Sequence, residues 1–190
     1  MLKDLILKNR TYRRFYQEES VSRDTLIEVI DLARLTSSAA NMQSLRYVLS
    51  LDKGKNEQIF KTLKWAGYLV DWDGPVEGEK PRAYIVMLND KRIRVNYLWD
   101  HGLSIQSILL GLTEKGLGAC RFNSINRAVL AQELNLPEFY EIVTVLAIGK
   151  PKEAVILEEV EASGNIRYWR DEQGILHVPK RKIEDLILDL

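Results

Sequence analysis

The sequence predicts an α+β fold in a single domain that spans residues 1–190. Three observations lead to this prediction. The length is enough for one sizeable hydrophobic core. Segments with strand and helix patterns follow each other without the strict alternation of a parallel α/β protein. No internal repeat, low-complexity segment or linker divides the chain.

The first part of the chain predicts two helices. A short amphipathic helix starts at Leu2 and ends before an arginine cluster. Ser22 is a suitable N-cap for a second helix that runs to about Leu35, with Leu26, Ile27, Ile30 and Ala33 on one face. A polar loop of small residues follows over 36–44, and a further helix is expected over 56–65.

Four segments have the apolar pattern of strands. "RYVLSLD" alternates, whereas "RAYIVMLND" and "EIVTVLAIGK" are almost continuously apolar, which is typical of central, buried strands. "GACRF" predicts a short strand that starts at Gly118. A loop rich in Gly, Pro and acidic residues is expected over 71–81.

Two more helices are predicted in the second part. The longer covers Asn96 to Lys115 and is stopped by Gly116 and Gly118. Its middle is small and apolar nearly all round, so it should be buried by the sheet and by a second subunit. The shorter covers Asn126 to Leu134.

A C-terminal extension over about 151–190 has a looser pattern. A hairpin is expected to turn at Glu172-Gln173-Gly174, and a final helix to cover Ile183 to Leu190. Two interpretations of this tail stay open. It wraps around a partner subunit, or it packs on its own chain.

Composition excludes several classes of function. Lys plus Arg and Asp plus Glu both number 27, so the formal net charge is zero and argues against binding nucleic acid or an anionic membrane. The only cysteine, Cys120, fits a cytoplasmic protein without an intrachain disulfide. One cysteine and two histidines offer little for a metal site, so redox chemistry would need an organic cofactor.

The segment "NRTYRRF", residues 9–15, concentrates three arginines in five positions. Because the chain has no overall positive charge, this cluster suits one small anion such as a phosphate. Arginine presents a planar set of donors that matches phosphate oxygens and stays charged. Alternatively, these arginines lie in water or pair with Glu18 and Glu19.

Five segments in order resemble motifs of the FMN-dependent nitroreductase family. They are "NRTYRRF", "SSAANMQSLRY", "DHGLSIQSILLGLTEKGLGAC", "LAIGKPKE" and "PKRKIEDLI". The resemblance implies a nitroreductase-like fold with a central, mostly antiparallel sheet surrounded by helices. It also implies a homodimer with FMN at the interface and a C-terminal extension that wraps the partner.

The resemblance implies a set of cofactor-binding residues: Arg10, Thr11, Arg13, Ser38, Asn41, Gln43, Arg121, Phe122, Asn123, Ser124 and Arg181. Arg10, Arg13 and Thr11 would hold the phosphate from one end of the chain and Arg181 from the other. Where the family usually has a first arginine this chain has Asn9, so one phosphate contact is either missing or supplied by Arg14 or Lys182. Ser38, Asn41 and Gln43 lie on a loop that in the family reaches the neighbouring subunit's flavin.

Asn123 is the predicted catalytic residue, because by resemblance its main-chain N–H matches the donor that bonds flavin N5. The alternative is that Asn123 or Ser124 simply caps the following helix. His101, His177 and Cys120 are expected to be structural, and Asp100 and Gln106 to serve the subunit interface or helix packing. Trp65 and Trp72 form either a lid over the flavin or the anchor of a surface loop.

The implied activity is that of an NAD(P)H oxidoreductase. Hydride would pass from NAD(P)H through FMN to an aromatic or quinone-like acceptor in a ping-pong reaction, without a metal and without an acid–base pair from the protein. The absence of GxGxxG fits a nicotinamide that is a passing substrate. The alternatives are a non-catalytic FMN carrier or sensor, and a module without flavin whose arginines bind an acidic partner.

Overall fold

A computed structural model describes residues 1–188, and its centre is the predicted antiparallel sheet. The strands are β1 (Phe15–Tyr16), β2 (Leu45–Ser50), β3 (Ala83–Asp90), β4 (Gly118–Phe122) and β5 (Tyr140–Pro151). β5 pairs with β1, β3 and β4, and β2 pairs with β3, in every case antiparallel. The α+β class and the antiparallel sheet expected from the sequence are therefore confirmed.

Five α-helices surround this sheet. They are α1 (Leu2–Lys8), α2 (Arg23–Arg34), α3 (Lys53–Lys61), α4 (Asp100–Glu114) and α5 (Arg127–Glu133), with a short 3-10 turn over Ala39–Asn41. The longest predicted helix begins at Asp100 rather than Asn96, and the helix predicted over 56–65 lies at Lys53–Lys61. Asp52 explains this earlier start, because its side chain caps α3 by accepting the Lys55 amide at 2.8 Å.

Every residue of β3 is buried, because helices cover both faces of the sheet. Side chains alternate between the faces along a strand. Ala83, Ile85 and Met87 join the core formed with α2 and α4, whereas Tyr84 and Val86 join the core on the other face. The near-continuous apolar run of the sequence is thus the mark of a two-sided core.

Two polar side chains cap helix starts, and of these only Ser22 is the cap expected from the sequence. Ser22 Oγ accepts the Thr25 amide at 3.0 Å at the start of α2. Asn126 Oδ1 accepts the Val129 amide at 3.3 Å at the start of α5, so Asn126, rather than Asn123 or Ser124, is the cap. In α2 the buried face carries Leu26, Val29 and Ala33, and Ile27 was wrongly assigned to it, being 44% exposed.

The tail forms a second, three-stranded sheet from β6 (Val155–Glu159), β7 (Trp169–Arg170) and β8 (Leu176–Lys180). β8 pairs parallel with β6 and antiparallel with β7, so the predicted hairpin around residues 172–174 is confirmed.

The helix predicted over Ile183 to Leu190 is wrong over the described residues, where a turn covers 183–186. Its remaining residues, 189 and 190, lie outside the described part. Ile183, Leu186 and Ile187 are all more than 60% exposed, so the single chain provides no packing that would stabilise a helix.

Within residues 1–188, none of the helices combines the length and the apolar character required to cross a bilayer.

Candidate functional site

A cavity of about 340 Å³ lies where the N-terminal turn, α4, β4 and the tail sheet meet. Four cationic side chains line it, namely Arg10, Arg13, Arg121 and Lys180. No carboxylate is among its lining residues, and none of the four cations forms an ion pair with a described carboxylate. The cavity therefore has a positive charge that the described part of the chain leaves uncompensated.

The start of the arginine turn is held against β4. The Tyr12 amide donates to the Ala119 carbonyl at 3.1 Å, and Thr11 pairs with Ala119 in an isolated bridge. Gly118 makes this approach possible, because a Cβ atom there would collide with the Tyr12 ring and with Pro151. The turn brings Thr11 and its flanking arginines to the cavity.

Arg13 and Arg14 are consecutive residues with opposite environments. Arg14 donates to both carboxylate oxygens of Glu79 at 2.6 and 2.5 Å, and this pair lowers the pKa of Glu79. The Arg13 guanidinium instead lies 4.5 Å from the centre of the Tyr168 ring, and both side chains line the cavity. Arg14 is thereby neutralised outside the cavity, and the interpretation that it supplies a further phosphate contact is not favoured.

The geometry fits a phosphate dianion. Arg10 Nε is buried and has no hydrogen-bond partner, while Nη2 of the same side chain donates to the Ile6 carbonyl at 2.5 Å. A buried donor without an acceptor is costly, so the site favours a ligand with acceptor oxygens. Guanidinium and ammonium groups around one small space are the usual means of binding phosphate.

The predicted loop residues Ser38, Asn41 and Gln43 do not line this cavity. Ser38 donates to Asp100 Oδ2 at 2.6 Å, and the Ala39 amide donates to Asp100 Oδ1 at 2.9 Å. Asp100 thus fixes the loop to the start of α4, in agreement with a structural role. Asn41 and Gln43 are exposed on this anchored loop.

The same loop has an unusual backbone. Ala40, Asn41 and Gln43 all have φ values near +50°, in the left-handed region that side chains other than glycine rarely adopt. Strained backbone of this kind persists only where the surroundings determine it, and it is concentrated at functional sites.

The segment after β4 divides into buried and exposed parts. Phe122 is 4% exposed and its ring packs against Trp65 at 4.5 Å, within the core. Asn123 and Ser124 are exposed and do not line the cavity. Both oxygen atoms of Asn123 accept from Arg127, at 3.0 and 3.2 Å, and Arg127 also donates to the carbonyls of Ile142 and Val143. Arg127 therefore fixes Asn123 to the central strand.

At the other end of the chain, the lining cation is Lys180 rather than Arg181. Lys180 is the last residue of β8, and Arg181 is exposed outside the cavity. Lys182 lies 3.7 Å from Glu159. Sequence reasoning also missed Tyr168 and assigned Gln106 to the subunit interface or to helix packing, although both line the cavity. The basic motif "PKRK" contained the signal for Lys180.

Trp65 and Trp72 anchor their loop. Trp65 is 6% exposed and packs edge-on against Trp72 at 6.1 Å. The Arg170 guanidinium lies 4.7 Å from the centre of the Trp72 ring and so joins this loop to the tail sheet. This packing favours the interpretation of an anchored loop over that of a lid.

The side chains expected to be structural have structural environments. His101 Nδ1 lies 3.1 Å from the Leu98 carbonyl, and burial raises the pKa of the Cys120 thiol to about 12. His177 lies between the carboxylates of Glu158 and Asp171, with Nε2 3.0 Å from Asp171, and these carboxylates raise its pKa. Its ring stacks on Trp169 at 4.1 Å.

A second and larger cavity, of about 1020 Å³, lies between the loop before β3 and α3. Its charged lining residues are three cations and three carboxylates, namely Lys53, Lys80, Arg82, Glu18, Glu57 and Glu77. Lys80 contacts Glu57 at 3.0 Å and Glu77 at 3.3 Å. No residue of the tail sheet lines it.

Comparison with known proteins gives consistent similarities. The sequence model of the Nitroreductase family matches residues 6–150. An iodotyrosine deiodinase of Thermotoga neapolitana is 25% identical over 166 residues, which cover 80% of this chain and 89% of the relative.

Two crystal structures resemble the fold. A Bacillus subtilis protein assigned to the nitroreductases superposes with a TM-score of 0.70 at 16% identity, covering 100% of this chain and 98% of its own. Oxidized iodotyrosine deiodinase bound to FMN and 3-iodo-L-tyrosine superposes with a TM-score of 0.66 at 22% identity, covering 80% and 90%.

Proposed function

Because the chain belongs to the nitroreductase family, we propose that it is an FMN-dependent oxidoreductase. In this proposal it passes hydride from NAD(P)H through FMN to an aromatic or quinone-like acceptor, in two half-reactions that share one site. The observation that carries the proposal is the cavity that, among residues 1–188, is lined by four cations and no carboxylate. The FMN bound to the structurally similar deiodinase supports the choice of this anion.

Arg10, Arg13 and Lys180 are the residues proposed to hold the cofactor phosphate, with the Thr11 hydroxyl as a further donor. Arg10 Nε is the strongest candidate, because it is buried and lacks an acceptor. Arg121 is exposed on β4 and lines the same cavity, so it can contact the rest of the cofactor. When bound, FMN supplies the hydride chemistry, which the side chains of the protein lack.

The protein contributes binding, orientation and exclusion of water. Asn123, held through both oxygens by Arg127, is proposed as the residue that offers its main-chain N–H to the flavin ring. Phe122 would reinforce this segment from the core side, and Ser124 would extend its rim.

We also propose that two copies form a homodimer. Trp99 and Leu103 on and beside α4, and Ile183 and Leu186 in the tail, are apolar side chains that the single chain leaves exposed. A second copy would cover them, receive the wrapping tail, and bring the exposed Asn41 and Gln43 to a flavin. We also propose a cytoplasmic location, because the single cysteine, Cys120, fits a protein without an intrachain disulfide.

The test is spectroscopic. The purified full-length protein should be yellow, with the flavin absorbance bands, and mass analysis of the released ligand should identify FMN. Addition of NADH or NADPH without air should bleach these bands, and an added quinone should restore them. Yellow protein that does not bleach would support the non-catalytic FMN-binding alternative. Colourless protein that cannot be reconstituted with FMN would contradict both.

A further inference from the structure

Glu153 is the most completely buried carboxylate next to the arginine turn. The side chain has 0% exposure. A buried carboxylate is unfavourable unless its oxygens are hydrogen-bonded, and here each oxygen has a partner. Oε1 accepts the main-chain amides of Arg13 and Arg14, and Oε2 accepts from the Arg170 guanidinium at 2.9 Å.

The sheet register explains why these residues meet. β1 and β5 are antiparallel, with Phe15 opposite Pro151. The same register, continued to two residues before Phe15 and two residues after Pro151, places Arg13 opposite Glu153. The Lys152 amide donates to the Arg14 carbonyl at 2.9 Å, so the pairing continues beyond the last ladder position. The carboxylate therefore lies beside the backbone of the turn rather than in the cavity, whose lining does not include it.

We propose that Glu153 is a positioning residue for phosphate recognition. By holding the amides of Arg13 and Arg14, it fixes the backbone at the point where the two side chains separate. Arg14 then reaches Glu79, and Arg13 enters the cavity over Tyr168. This inference rests on the proposed function, since the anion that Arg13 meets is the phosphate of FMN.

The competing explanation is that Glu153 only anchors the tail through Arg170. The two roles use different features of the side chain. The amides of Arg13 and Arg14 need an acceptor oxygen, whereas Arg170 needs a negative charge. Glu153→Gln retains an acceptor and removes the charge, and Glu153→Leu removes both at similar volume.

The experiment titrates the full chain, after removal of bound flavin, with FMN and with riboflavin, which lacks the phosphate. The ratio of the riboflavin Kd to the FMN Kd measures how much the phosphate adds to affinity, and it separates phosphate recognition from a general loss of structure. We expect Glu153→Leu to lower this ratio by about tenfold or more, the equivalent of one charge-assisted hydrogen bond, with the riboflavin Kd changed by less than about threefold. Glu153→Gln should keep the ratio within about threefold of the parent.

Glu79→Leu is the matched control, because it releases Arg14 without touching Arg13, and it should leave the ratio unchanged. If Glu153→Leu does not fold, Glu153→Asp tests the same point, since it draws the acceptor oxygen away from the amides and should also lower the ratio.

Three results would overturn the inference. They are a parental ratio in the folded Leu or Asp variant, an equal loss in the Gln variant, and an equal loss in the Glu79 control. If the parent protein itself shows no preference for FMN over riboflavin, the proposed function fails first and the inference fails with it. The parental titration thus separates the two failures.

Discussion

Two cavities of the molecule, the larger beside α3 and the smaller beside the arginine turn, differ in the charge of their linings in a way that their sizes do not indicate. The larger, of about 1020 Å³, is lined by equal numbers of cations and carboxylates. In the part of the chain that the structure describes, the smaller, of about 340 Å³, is lined by four cations and no carboxylate. In the larger cavity Lys80 is neutralised by Glu57 and Glu77. In the smaller, the nearest buried carboxylate, Glu153, is directed to backbone amides and to Arg170.

We infer from this difference that uncompensated charge, rather than volume, marks the proposed phosphate site. Side chains that already pair with each other gain little from a ligand, because the ligand must replace existing bonds. Unpaired guanidinium groups around a confined space gain the full charge-assisted bond. The predictions that follow test this contrast, from the largest expected effect to the smallest.

The first prediction compares the cations of the two cavities directly. Arg10→Ala with Arg13→Ala should weaken FMN binding by about 1.5–3 kcal/mol for each charge-assisted bond lost, as measured by quenching of flavin fluorescence. Lys53→Ala with Lys80→Ala, in the larger cavity, should leave FMN affinity unchanged. An equal loss in the two double variants would remove the distinction between the cavities.

The second prediction compares two neighbouring cations in the tail. Lys180→Ala should weaken FMN binding by about tenfold, because Lys180 lines the smaller cavity. Arg181→Ala should have a much smaller effect, since Arg181 is exposed outside it. A larger effect of Arg181→Ala in the same titration would restore the assignment that the sequence alone suggests.

The third prediction concerns Arg127, which fixes Asn123 at the edge of β4. Arg127→Met retains much of the side-chain volume but loses the four hydrogen bonds to Asn123, Ile142 and Val143. We expect a slower anaerobic reduction of bound FMN by NADH in stopped-flow measurements, with FMN affinity nearly unchanged. Unchanged reduction kinetics would argue against a role of Asn123 in orienting the flavin.

The fourth prediction concerns the stability of the tail sheet, which lines the smaller cavity and not the larger. We expect this stability to depend on pH through His177 in β8. The pKa of His177 is raised by Asp171 and Glu158 above its ordinary value of 6.5. The stabilisation that protonated His177 gives to the folded tail sheet is therefore complete below pH 6.5, and it is lost as pH rises through the raised pKa of His177. Below the ordinary range of carboxylates it weakens again, because His177 also lowers the pKa of Asp171.

Hydrogen exchange of the β8 amides measures this effect. Protection should fall as pH rises above 6.5 and through the raised pKa of His177 in the parent protein, and His177→Gln should abolish the change. The β3 amides serve as the internal control, because β3 lies in the central sheet. A parallel fall of protection in β3 would indicate a global rather than a local effect.

Sequence reasoning found the parts of this molecule that are determined locally. The continuous apolar run of β3 predicts burial on both faces, and Ser22 predicts the start of α2. The arginine turn is also visible, because three arginines in a neutral chain need an explanation. These features depend on residues that are near each other along the chain.

The features that sequence reasoning missed depend on tertiary contacts. Tyr168 has no local signal that separates it from other aromatics of the tail, and only the folded sheet brings it under Arg13. The distinction between Lys180 and Arg181 depends on where β8 ends, since Lys180 is the last residue of the strand and Arg181 follows it outside the cavity. The turn in place of the final helix reflects apolar side chains that find no packing within the chain.

The smaller cavity joins segments that are far apart in the order of synthesis. Residues 9–13 emerge from the ribosome early, whereas Tyr168 and Lys180 follow more than 150 residues later. A growing or prematurely terminated chain that stops before β6 has the arginine turn but lacks the lining residues that the tail contributes to the cavity. Binding of the cofactor phosphate at the proposed site would then require translation through Lys180, because Tyr168 and Lys180 complete the lining of the cavity.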